Sequence, residues 1–180
     1  VQAFGVVLLG TIAYVADASS GLRVVDVSDP NKPTELGLYE VSGGHVRHVA
    51  VDGTTAYVVD RNLGLRVVDV SDPKTLTQIG FYGPMGSVEA VAVLGDYAYV
   101  AAGSSLRVVD ISDPVHPKEV GIYDTQGGWP TDVVVSGTYA YVSTSYGSYN
   151  LHILDISDPT HPKMIGGISA GTGGAYREIA

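Results

Sequence analysis

Short apolar runs of strand length, punctuated by Gly, Asn, Asp and Pro, fill this chain. Between Val46 and Gly83 they read Val49-Ala50-Val51, Ala56-Tyr57-Val58-Val59, Leu65-Arg66-Val67-Val68-Asp69-Val70 and Gln78-Ile79-Gly80-Phe81-Tyr82. The breaks fall at Asp52-Gly53-Thr54, Asp60-Arg61-Asn62-Leu63-Gly64 and Ser71-Asp72-Pro73. β-branched and aromatic residues in the runs, with turn formers at the breaks, predict four strands joined by tight turns. Nowhere do apolar residues recur at i, i+3, i+4 and i+7 over a helical length. The inner runs, such as Val24-Val25, Val67-Val68 and Val133-Val134-Val135, are continuous rather than alternating. A sheet with one wet face alternates, so these strands are expected to be buried on both faces.

The unit repeats. Asp-[Val/Ile]-Ser-Asp-Pro begins at Asp26, Asp69, Asp110 and Asp155, a spacing in the low forties, and Gly10, Gly53, Gly95 and Gly137 lead into Ala-Tyr-Val on the same beat. That period, built from short strands, predicts an all-β fold, a β-propeller of four-stranded antiparallel blades. Four repeats are visible, at approximately 3–42, 46–84, 88–126 and 130–170, within a single propeller or propeller arc over 1–180. Gly173-Gly174-Ala175-Tyr176-Arg177-Glu178 overlays Gly43-Gly44-His45-Val46-Arg47-His48, so 175–180 is expected to start a further repeat. Three readings stay open: a closed four-bladed ring, an arc of a larger ring, or an arc completed head to tail by another copy.

Local chemistry fits the blade. Pro30, Pro73, Pro114 and Pro159 fix a turn φ, while the Asp and Ser before them are suited to accept freed backbone N–H groups. A calcium site gathers more oxygen ligands than each turn offers, so no metal is expected. Gly37, Gly80, Gly121 and Gly166 interrupt the fourth strand, predicting a bulge there. With Glu35, Lys118 and Glu119 nearby, it is expected to discourage edge pairing.

The chain resembles the LVIVD-repeat family, whose namesake string appears as Leu22-Arg23-Val24-Val25-Asp26, Leu65-Arg66-Val67-Val68-Asp69, Leu106-Arg107-Val108-Val109-Asp110 and Leu151-His152-Ile153-Leu154-Asp155. The resemblance covers essentially the whole chain. It implies a β-propeller at the extracellular face or cell surface of bacteria or archaea, with no general catalytic motif. His152 departs from the Arg23, Arg66 and Arg107 pattern, at what reads as a partly exposed strand position.

Composition narrows the partners. There is no Cys, so disulfides and thiolate sites are excluded. A formal net charge of −9 argues against nucleic acid or an anionic membrane. No run is long enough to span a bilayer, and Val6-Val7-Leu8-Leu9 overlays Val91-Ala92-Val93-Leu94, which makes it a blade strand rather than a leader. The missing initiator Met suggests a processed chain or a piece of a longer one.

Candidate chemistry sits where the four units differ, at the entry to the innermost strand. These residues are His45, Arg47 and His48; Glu89; Trp129 and Asp132; and Tyr176, Arg177 and Glu178. The longest second hairpin adds Tyr146 and Tyr149. An exposed Trp beside carboxylates, and tyrosines on a Ser/Gly loop, suit a protein or glycan contact. No catalytic residue, metal or cofactor is assigned. The leading expectation is a non-enzymatic surface module, for interaction or structure, that self-assembles head to tail, even into a filament, with no direct membrane insertion. The alternative is a propeller enzyme acting on glycans through Glu89 and Asp132 across the channel mouth.

Overall fold

The computed structural model describes residues 2–83 and 86–169. Tyr176, Arg177, Glu178 and the proposed opening of a further repeat at 175–180 lie outside the described residues. The first sheet comprises β1 (Gly5–Leu9), β2 (Ile12–Asp17), β3 (Gly21–Asp26) and β4 (Thr34–Tyr39). The second holds β5 (Val46–Asp52), β6 (Thr55–Asp60), β7 (Gly64–Asp69) and β8 (Thr77–Tyr82). The third holds β9 (Val88–Leu94), β10 (Tyr97–Ala102), β11 (Ser105–Asp110) and β12 (Lys118–Asp124). The fourth holds β13 (Trp129–Ser136), β14 (Tyr139–Ser145), β15 (Leu151–Asp155) and β16 (Lys163–Ile168). Each sheet is an antiparallel meander in chain order. Among the described residues there is no helix long and apolar enough to cross a membrane.

The sheets form two compact units, β1–β8 and β9–β16. Within the first, one face of the first sheet packs on the second through Tyr14, Ala16, Leu22 and Val24 against Val49, Ala56, Val58 and Val68. The other unit repeats this with Tyr99, Ala101, Leu106 and Val108 against Val133, Ala140, Val142 and Leu154. β6 and β10 are buried along nearly their whole length, which is why their sequences do not alternate.

The outer strand carries a bulge at the same place in all four sheets, leaving Leu36, Ile79, Val120 and Ile165 as the extra residue. The adjacent glycine has a second role. A Cβ on Gly37 would stand 2.2 Å from the Pro73 carbonyl oxygen, and one on Gly121 would stand 2.2 Å from that of Pro159. Within each unit, the turn proline of the second sheet therefore presses its carbonyl onto the bare backbone of the first. Two of the edge charges are engaged on their own sheets: Glu35 pairs with Arg23 and Glu119 with Arg107. The repeated turns use carboxylates as caps. Ser28 N–H donates to Asp26 Oδ1 at 2.8 Å and Asn31 N–H to Asp29 Oδ1 at 3.0 Å; the turns at Pro73 and Pro159 repeat both bonds, and the turn at Pro114 repeats the first. Those backbone bonds hold the carboxyls of Asp26, Asp69 and Asp155 below the usual range, and at Asp110 the Ser112 hydroxyl leads the same effect.

Candidate functional site

The innermost strand of the last three sheets also bulges, a feature invisible in the repeat spacing. Val46 pairs with Asp60 and His48 with Val59, leaving Arg47 as the extra residue. Glu89 and Thr131 occupy that position in β9 and β13. A bulge turns one side chain out of the pleat, and here it does so for the variable residues.

In the first unit the bulge builds a small cluster. The Arg47 guanidinium lies 3.9 Å from the centroid of the Phe4 ring, and Phe4 meets His45 edge-on at 5.2 Å. Phe4 sits just before β1 in the phase of Arg47, so the same place in the repeat supplies both partners. His48 lies in β5, where its ring edge comes within 3.1 Å of a Cβ built on Gly5. Behind this cluster stands Asp60, fully buried. It accepts the backbone N–H of His45, and those of Asn62 and Leu63 at 2.9 Å each. Sequence reasoning took Asp60 for an ordinary turn residue; a carboxylate closing the otherwise apolar β6 was the available signal.

In the second unit Glu89 accepts a hydrogen bond from the Ser87 hydroxyl at 2.9 Å. Asp132 is buried and its Oδ1 accepts the Val133 N–H at 2.8 Å. The Thr131 and Ser143 hydroxyls meet at 2.8 Å. Trp129 is 60% exposed and Tyr146 80% exposed, so neither covers a core. Two segments distant in sequence converge here: Trp129 pairs with Ser145 across the ladder, and a Cβ on Gly147 would lie 2.7 Å from Gly128 N. Buried threonines hold both loops. The Thr125 hydroxyl lies 2.7 Å from Ser104 O and 2.5 Å from Gly128 O, and the Thr144 hydroxyl donates to Tyr149 O at 2.5 Å. Tyr146 has φ +68°, a left-handed conformation uncommon for an aromatic residue, and its side chain stands out in solvent. Tyr149 points elsewhere, edge-on to His152 at 5.5 Å.

His152 corrects the expectation of a partly exposed position: it is fully buried. Arg23, Arg66 and Arg107 reach Glu35, Gln78 and Glu119 on the neighbouring strand. At His152 the corresponding residue is Met164, so no polar acceptor draws the side chain outward and the smaller ring folds inward. Among the described residues no three His, Asp or Glu side chains gather as a metal site.

Four-stranded meanders stacked face to face as repeated blades define this chain as a β-propeller protein. The sequence matches the LVIVD repeat at residues 2–41, 43–83, 85–125 and 127–169, and the chain belongs to that family. A comparison with curated proteins found no match. Among solved structures it is similar to the computationally designed Ika8 protein, with TM-score 0.73 and 13% identity over 98% of this chain and 53% of that one. The designed Ika4 protein matches with TM-score 0.70 and 11% identity, covering 86% of this chain and 91% of that chain. A protein from Lactobacillus plantarum matches with TM-score 0.74 and 19% identity, over 88% of this chain and 54% of that one. The chain thus spans about half the length of two of these three structures.

Proposed function

We propose that this chain is a non-catalytic structural and interaction module at the cell surface, whose two end sheets join further LVIVD blades head to tail. The observation that carries this reading is the unequal burial of equivalent residues. Val49 and Val133 are 2% and 3% exposed where a sheet of the same unit covers them, whereas Val6, at the same place in the first sheet, is 66% exposed. A face built like a blade–blade contact and left open is suited to another blade. The extracellular address rests on the family resemblance. The absence of catalysis is supported by the engagement of Glu89 with Ser87 and of Asp132 with the Val133 amide. The preorganised Trp129 and Tyr146 loops favour a second role, contact with a protein or glycan ligand.

Light scattering of the purified chain across a concentration series tests the first reading: the expected result is a mass above that of one chain, and a monomer at every concentration overturns it. A glycan hydrolysis screen tests the second point. Turnover that disappears on Glu89→Gln or Asp132→Asn would replace the module with an enzyme.

A further inference from the structure

The outer strand of the fourth sheet carries Gly166 at the place of Gly37 and Gly121. Those two glycines lie under a proline carbonyl of the adjoining sheet, but a Cβ on Gly166 would meet, among the described residues, only Ile153 Cδ1 at 3.9 Å. Its φ is not left-handed, so the local backbone does not demand glycine. Among the described residues nothing fills the notch.

Its surroundings match row by row. Tyr14, Val24 and Gly37 stand side by side across the first sheet, Tyr99, Val108 and Gly121 across the third, and Tyr141, Ile153 and Gly166 across the fourth. The first two rows are covered by the adjoining sheet of their unit; Tyr141 and Ile153 are partly exposed, and Ile165 and Ile168 beside them are 55% and 57% exposed. What covers such a row is shown in the second unit: Val133, Val142 and Leu154, with the Ser157-Asp158-Pro159 turn. The first sheet offers the same set, Val6 exposed and Val15 and Val25 partly exposed, with Ser28-Asp29-Pro30. That turn is fixed by the same pair of carboxylate caps as the turn at Pro159.

We infer that the first sheet of a second copy of this chain seats on the open face of the fourth sheet, with the Pro30 carbonyl of that copy in the Gly166 notch. This rests on the head-to-tail reading above and adds its partner and register. One difference between the ends fits. Tyr39 donates from the first sheet to Gln78 Oε1 of the second at 2.6 Å, whereas the fourth sheet has Ile168 in place of that tyrosine. Arg23 on the first sheet correspondingly needs no hydroxyl from a neighbour, because Asp17 and Glu35 of its own sheet already flank it.

The test uses the whole chain, Gly166→Val and Leu8→Glu, alone and mixed, by sedimentation equilibrium. Valine fills the notch, where among the described residues an added Cβ meets no backbone atom within 4 Å; glutamate spoils the opposite face. Each variant is expected to raise the concentration for half-assembly by about tenfold or more, with melting of the dissociated chain unchanged for Gly166→Val. Mixing the two regains one intact junction and gives a dimer. If wild type assembles and Gly166→Val assembles equally well, or the mixture stays monomeric, this register is wrong while the module reading stands. Monomeric wild type at all concentrations overturns both.

Discussion

The Tyr123 hydroxyl lies 3.1 Å from His152 Nδ1, a hydrogen bond from the third sheet to the fourth. It occupies the place where, in the other unit, the Tyr39 hydroxyl of the first sheet donates to Gln78 Oε1 of the second, an oxygen that also accepts from Arg66. The tyrosine is thus the constant element and its receiver varies. Where Met164 replaces Gln78, no amide is available and the phenol meets the imidazole itself, whose ring also stands edge-on to Tyr123 at 5.8 Å.

This contact predicts a pH-dependent fold. Burial pushes the His152 pKa below its ordinary value of 6.5, opposed in part by the Tyr149 backbone. Its Nε2 is buried without a hydrogen bond of ordinary geometry among the described residues. The unfolded chain takes up this proton before the folded one, so stability is full above about pH 6.5 and falls as pH drops towards the depressed value. Urea midpoints at pH 7.5 and 5.5 are expected to differ, and the difference to shrink in His152→Phe; an unchanged slope in that variant would locate the titration elsewhere.

Restoring the repeat pattern at one position alone is predicted to fail. His152→Arg places a guanidinium in a buried site facing Met164, which costs on the order of 3 kcal/mol. Met164→Glu supplies the acid that serves Arg23 and Arg107 on their sheets. The double variant is expected to recover part of the loss, with a coupling of about 1–3 kcal/mol in a double-mutant cycle by urea denaturation. Simple additivity refutes the pairing.

Blade topology was legible because turn residues and β-branched runs report on local backbone, and because the period makes each unit confirm the next. The bulge at Gly37, Gly80, Gly121 and Gly166 was legible for the same reason. What those glycines touch was not, since the Pro73 carbonyl over Gly37 belongs to another sheet. The burial of His152 was missed because it depends on Met164, a residue on the next strand. The convergence of Trp129 with Tyr146 was missed likewise, because it rests on strand register and on the contact between Gly128 and Gly147. Of the candidate residues, His45 and Arg47 do come together, but around Phe4, which carries no chemistry a motif would flag.

Asp60 is predicted to matter more than any neighbour in its turn. Replacing it by Ala strands the amides of His45, Asn62 and Leu63 at a fully buried site, for a loss of about 3 kcal/mol. Asp60→Asn keeps an acceptor oxygen and is expected to lose less. Thermal melts of both variants check the order; equal destabilisation would mean that the negative charge, rather than the acceptor, is what the loop requires.

The glycine notch supplies an internal control on blade packing. Gly121 and Gly166 occupy equivalent places on β12 and β16, yet a Cβ on the first would stand 2.2 Å from the Pro159 carbonyl oxygen and one on the second would meet, among the described residues, only a flexible methyl at 3.9 Å. A carbonyl belonging to a capped turn cannot move aside without carrying Asp158 and Thr160, whose bond at 3.0 Å fixes it. Gly121→Ala must therefore force the third and fourth sheets apart and lose packing around Tyr99 and Val133, for about 3 kcal/mol or more. Gly166→Ala, measured on the dissociated chain, is expected to fall within about 0.5 kcal/mol of wild type, the range for a site that touches nothing rigid. If the two substitutions destabilise equally, the glycines serve the outer-strand bulge alone and the proline carbonyl is a bystander.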